Sequence, residues 1–189
     1  MKQIVCGLGN PGKEYQSTRH NAGFLFIEKL CLELTGNSFQ DTARLQSRFS
    51  SLIAEVGDTL LVQPQTFMND SGRAVHDLFQ FYDKEQLRQA APAQFPQLWV
   101  AYDDLDLQVG QTKLQFATGP KVHNGLQSIR QHLSSEEFWH LRIGVDGRNG
   151  DRTLSGSEYV LSGFRPEEKT LFEESLHSLI EKMQQQWQK

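Results

Sequence analysis

Gln3-Ile4-Val5-Cys6-Gly7-Leu8-Gly9-Asn10-Pro11-Gly12 begins as an apolar run and ends in a turn, the pattern of a buried strand passing into a loop at its carboxyl end. The segment beyond the loop makes that strand part of a layered architecture. After Asn21, the residues Phe24, Ile27, Cys31 and Leu34 recur at three- and four-residue steps, so they line one face of a helix that stops near Gly36. Strand, glycine-rich loop and helix form the opening unit of an α/β fold. Further apolar, β-branched runs predict strands near residues 52–56, 59–62, 98–102, 113–116 and 141–145. Helical spacing predicts helices over about residues 71–82 and 126–133. The last segment carries Phe172, Leu176, Leu179, Met183 and Trp187 on one stripe, with Pro166, Glu167 and Glu168 suited to its first turn. Residues 86–97, with Pro92 and Pro96, predict a connection containing one helical turn. Gly57-Asp58 joins two strands as a hairpin, which makes the sheet mixed. The expected architecture is a single α/β domain over residues 1–189, its central, mostly parallel mixed sheet flanked by helices on both faces.

The chain has 189 residues, 38% of them hydrophobic, enough for one core and too few for two full domains. Its strand pattern begins at the N-terminus, and no apolar run approaches membrane-spanning length. A cytoplasmic protein with no membrane partner is expected. Cys6 and Cys31 fall inside a strand and a helix and are expected to be buried, reduced thiols. The net charge of −4 counts against a surface that grips nucleic acid everywhere. Residues 110–152 supply one candidate patch, with Lys113, Lys121, Arg130, Arg142, Arg148 and Arg152 against Glu136, Glu137, Asp146 and Asp151. From charge alone, a solvated mixed face fits it better.

Five segments carry chemistry. Gly7 to Gly12 formally matches a dinucleotide-binding fingerprint, but Pro11-Gly12 makes a turn where that motif opens a helix. The acid that should come about twenty residues later is also missing, since Glu28 and Glu33 lie within the helical pattern. No nucleotide cofactor is expected. His20 sits at a helix entrance, Asn69 between a strand and a helix, and Asn124 at another helix start, where each could be a simple cap. Asp103, Asp104 and Asp106 close an apolar strand; consecutive strand positions face opposite ways, so the three cannot all converge on a metal. Together the loops can bring histidines, a carboxylate and asparagines to one sheet edge, with no nucleophilic Ser or Cys in an elbow. Such a set suits hydrolysis by an activated water. An imidazole takes the proton, a carboxylate orients the ring, and amides donate to the oxyanion, with neither metal nor cofactor required.

These blocks resemble a known family. Gly7-Leu8-Gly9-Asn10-Pro11-Gly12 with Tyr15 and Thr18-Arg19-His20-Asn21-Ala22-Gly23, then Phe67-Met68-Asn69, Asp103-Asp104-Leu105-Asp106-Leu107, His123-Asn124-Gly125-Leu126 and Leu141-Arg142-Ile143-Gly144, are similar in kind and order to the signatures of bacterial peptidyl-tRNA hydrolases. The resemblance implies an esterase that cuts an N-blocked peptide from the terminal ribose of tRNA and so recycles tRNA stranded by aborted translation. By matching position, His20 is the general base and Asp103 its partner, while Asn10 and Asn69 place substrate and water. Phe67, His123 and Asn124 line the cleft for the peptide and the terminal adenosine, Tyr15 packs beside it, and Arg142 contacts tRNA phosphate with Arg148 and Arg152 as helpers. The partner is then the acceptor end of peptidyl-tRNA, and a monomer is expected. The alternative is a relative that has left catalysis for RNA binding; retention of His20, Asp103, Asn10, Asn69 and Asn124 argues for the enzyme. Two departures stand out. The family's glycine run is replaced by Ala117-Thr118-Gly119-Pro120-Lys121-Val122, a stiffer loop, and Gln115 stands where a basic residue is usual, implying weaker phosphate binding.

Overall fold

Along the first strand, Val5 points to one side of the sheet and Ile4 and Cys6 to the other, all three buried, as a central strand covered on both faces requires. A computed structural model describes residues 2–88, 93–120, 122–151 and 153–188. The elements run β1 (Gln3–Gly7), α1 (Ala22–Thr35), α2 (Phe39–Thr42), β2 (Arg44–Gln46), β3 (Ser51–Val56), β4 (Thr59–Pro64), α3 (Ser71–Tyr82), α4 (Lys84–Leu87), β5 (Gln94–Gln108), β6 (Thr112–Phe116), α5 (Asn124–Leu133), β7 (Glu137–Asp146), α6 (Gly156–Val160) and α7 (Pro166–Trp187). The sheet order is β2-β3-β4-β1-β5-β7-β6. Strands β4, β1, β5 and β7 are mutually parallel, with β3 and β6 running against their neighbours. This is the expected mostly parallel mixed sheet.

Phe26, Ile27 and Leu30 of α1 pack with Phe172, Leu176, Leu179 and Met183 of α7 against Val5, Leu61 and Ala101 on one face. Val75, Leu78 and Phe79 of α3 and Leu126, Ile129 and Leu133 of α5 cover Ile4, Leu60 and Val100 on the other. Burying an apolar side chain of this size is worth about 1.5–3 kcal/mol. Helices α1 and α3 lie where the residue spacing put them. Gly36, at φ 73°, caps α1 in the left-handed conformation.

Strand β5 departs from expectation. It spans 15 residues rather than five, so Gln94–Gln97 of the expected connection are strand, and the helical turn of that connection falls at α4. Residues 89–92, Pro92 included, lie outside the described residues. Pro96 fits because the β5–β7 register slips between Phe95 and Trp99, where no ladder bond is asked of it. Both cysteines are buried and free, and burial pushes the Cys6 thiol up to about 12. Among the described residues no helix is long and apolar enough to cross a membrane.

Candidate active site

The glycines of the first loop serve close packing. A β-carbon on Gly7 would lie 2.2 Å from the Gly23 carbonyl oxygen, and one on Gly23 would lie 2.2 Å from that of Ala101. Helix α1 therefore seats its first turn directly on β1 and β5, which leaves no room there for a dinucleotide pyrophosphate. It also brings the turn just before α1, which carries His20, against Asp103 of β5. That approach is pinned from the side by Arg19, which is 2% exposed. Its guanidinium donates to Glu168 (2.6 Å) and to the Val145 carbonyl (3.0 Å), and it lies 4.5 Å from the Tyr159 ring and 4.7 Å from the Phe164 ring. His20 sits in the short 3₁₀ turn Arg19–Asn21, between two buried neighbours.

His20 Nδ1 lies 2.9 Å from Asp103 Oδ1. The same oxygen is 3.1 Å from His123 Nε2, and the two imidazole centroids are 5.5 Å apart. His123 Nδ1 accepts from the Leu126 amide at 3.3 Å, so the ring's proton belongs on Nε2, facing Asp103. His123, not Asn124, is thus the N-cap of α5, and Asn124 is its first residue. Burial pulls the His20 pKa down, but the charge and hydrogen bond of Asp103 outweigh it and raise the pKa above the usual 6.5. Burial likewise pushes Asp103 up, and the two imidazoles overcome this to hold its carboxyl well below the ordinary range. With Nδ1–H given to Asp103, His20 keeps Nε2 as an unprotonated acceptor on a side chain that lines a cleft of about 1030 Å³.

The asparagines reach the same cleft. Asn21 clamps the first loop, accepting from the Asn10 amide at 2.9 Å and donating to its carbonyl at 2.9 Å. Asn10 Oδ1 accepts from the Met68 amide at 2.8 Å, which leaves its Nδ2 donors for the cleft. Asn69 sits in the 3₁₀ turn Met68–Asp70, and neither it nor Asp70 caps α3 with its side chain. Asn69 and Asn124 are exposed, line the cleft and make no side-chain hydrogen bond among the described residues. Phe67, 61% exposed, stands at the rim.

The three acids part as the strand pleat demands. Asp103 serves the histidines, Asp104 pairs with Arg142 at 2.6 Å, and Asp106 is exposed. His20, Asp103 and His123 offer three ligand atoms within 4.8 Å of one another. A metal on His123 Nε2 would force the ring's proton onto Nδ1, against the Leu126 N–H, whereas a metal-bound histidine ordinarily donates its other nitrogen outward. The donor set fits protons better than a metal.

Some expected contacts are placed differently. Tyr15 is half-buried in the turn before His20 and does not line the cleft; its carbonyl accepts from Thr18 instead. Arg148 gives its backbone N–H, Nε and Nη2 to Asp146, so its charge is already answered. Arg152 and Lys121 lie outside the described residues. One wall went unforeseen: Gly156, Ser157 and Val160 of α6 line the cleft. Its signal was present in Ser155-x-x-Glu158, a reciprocal capping box.

The model of the family described as peptidyl-tRNA hydrolase matches residues 4–189. Among relatives, peptidyl-tRNA hydrolase of Azoarcus sp. is 42% identical over 92% of this chain and 73% of its own length. That of Aromatoleum aromaticum is 43% identical over 92% and 82%. A crystal structure of peptidyl-tRNA hydrolase from Acinetobacter baumannii superposes with a TM-score of 0.72 at 30% identity, covering 98% of this chain and 91% of that one. Sequence, fold and coverage agree, and the chain belongs to the peptidyl-tRNA hydrolase family.

Proposed function

We propose that the cleft hydrolyses the ester joining a peptide's carboxyl group to the 3′-terminal ribose of tRNA, with His20 Nε2 as general base. The observation that carries this is the His20–Asp103 bond of 2.9 Å on a cleft wall, with Nε2 left free. Water bound between Nε2 and the ester carbonyl loses its proton to the ring as it attacks. Asp103 holds the ring in the right tautomer and stabilises the imidazolium that forms. The side-chain amides of Asn10 and Asn69 donate to the water and the developing oxyanion. The proton then passes from His20 to the departing ribose oxygen, which frees tRNA and peptide.

His123 steadies Asp103 through the same carboxylate oxygen and, with Asn124 and Phe67, borders the space for the peptide and the terminal adenosine. Tyr15 acts at one remove, through the turn that holds Thr18. Arg142 meets a phosphate of the acceptor end. The enzyme works as a monomer in the cytoplasm, where its substrate arises. Hydrolysis of an N-acetylated aminoacyl-tRNA, with the unblocked form as control, tests the reading: release from the blocked form that is lost in His20→Ala is expected. Equal release by wild type and His20→Ala would overturn it.

A further inference from the structure

Behind the rim of the cleft lies a second buried cluster that proton transfer does not use. Arg142 on β7 stands opposite Tyr102 of β5, and Asp104, two residues further along β5, shares that face. Arg142 Nε donates to Asp104 Oδ2 at 2.6 Å and its Nη1 to Gln115 Oε1 of the neighbouring β6 at 3.0 Å. The other Asp104 oxygen accepts from the Asp106 amide at 2.8 Å, so the carboxylate is itself fixed at both ends. The Asp104 side chain is 1% exposed and that of Arg142 11%. Of the guanidinium nitrogens, only Nη2 lacks a protein partner among the described residues, and Arg142 lines the cleft.

We propose that Asp104 is a positioning residue: with Gln115 it sets the Arg142 guanidinium and neutralises its charge, so that a substrate phosphate meets a directed N–H group at Nη2 instead of a mobile cation. This rests on the reading of Arg142 as the phosphate contact. A guanidinium held at two nitrogens has lost its rotamer freedom before the substrate arrives, which removes an ordering cost from binding. A neutral pair also holds few counterions to release, so the contact adds orientation with little salt dependence. Such a device suits a chain of net charge −4 whose substrate is a polyanion.

The test is KM and kcat for N-acetylated aminoacyl-tRNA at several salt concentrations, with a melting curve for each variant. At the highest salt, where the added positive charge is screened, Asp104→Asn should raise KM about 2- to 12-fold, the cost of ordering one long side chain, with kcat held within about twofold. The slope of log KM against log salt should steepen by about one, because Arg142 then meets the phosphate as an uncompensated charge. Arg142→Ala should raise KM at the wild-type slope. If Arg142→Ala leaves KM unchanged, the phosphate reading beneath the inference falls. If Arg142→Ala raises KM while Asp104→Asn alters neither KM nor slope, the positioning role alone is refuted. Loss of kcat and melting temperature at constant slope would make Asp104 merely structural and refute it too. Should Asp104→Asn give no cooperative melt, Gln115→Leu decides: KM raised at least about twofold at constant kcat supports the proposal, and an unchanged KM overturns it.

Discussion

Replacing Asp103 by Asn keeps the shape of the side chain and removes the charge that two imidazoles share. Asp103 is 4% exposed, with its Oδ1 at 2.9 Å from His20 Nδ1 and 3.1 Å from His123 Nε2. A carboxylate and an imidazolium separated by about 4 Å at an effective dielectric of about 20 attract by about 4 kcal/mol. At roughly 1.4 kcal/mol per tenfold in rate, losing that attraction in the transition state costs about 10³. The His20 side chain is 14% exposed, so solvent screens part of the charge and a fall in kcat of about 10²–10³ is expected. The pH profile should move as well. In the wild type, Asp103 raises the His20 pKa above 6.5, so activity is lost as pH falls through that raised value. Without the charge, burial acts alone and lowers the pKa, and the midpoint should shift to lower pH. Single-turnover rates with N-acetylated aminoacyl-tRNA from about pH 5 to 8 measure both effects. A variant with wild-type kcat and an unmoved midpoint would show that Asp103 does not support the base.

His20→Ala should lower kcat by at least about 10²-fold while tRNA affinity, measured by filter binding, stays within a few-fold; loss of affinity in parallel with rate would make His20 a binding group. Arg19→Met should destabilise the fold by on the order of 3 kcal/mol in urea, since it strips a buried partner from Glu168 and, among the described residues, leaves Arg165 to answer it. An unchanged unfolding midpoint there would mean the pair carries no net stability. EDTA should leave the rate unaltered, and inhibition reversed by added metal would instead assign an ion to His20, Asp103 and His123.

Residues 22–35 and 71–82 were legible as helices because their apolar spacing alone fixes a buried face, and Gly36 marks an end that only a left-handed residue makes cheaply. The full length of β5 was not, because Gln94 to Gln97, with Pro96 among them, read as a connection until β7 lies beside Gln94 and Phe95. The burial of Arg19 was not legible either, since it depends on Glu168, far along the chain, and on two aromatic rings. Pairing across elements is also what separates the two neighbouring acids. Since side chains alternate along a strand, Asp103 and Asp104 cannot serve the same group. The turn leading into α1 and the N-terminus of α5 bring histidines to one, and β7 brings an arginine to the other. Two consecutive carboxylates in water would repel and titrate together, whereas here each has a basic partner on its own side of the strand. The Asp-Asp dipeptide therefore lets one strand end hold a proton acceptor in place and steer a guanidinium at once. Shifting β5 by a single residue would bring Tyr102 or Leu105 to one of those two places and leave its basic partner without a carboxylate, so register, more than composition, decides which group each acid serves.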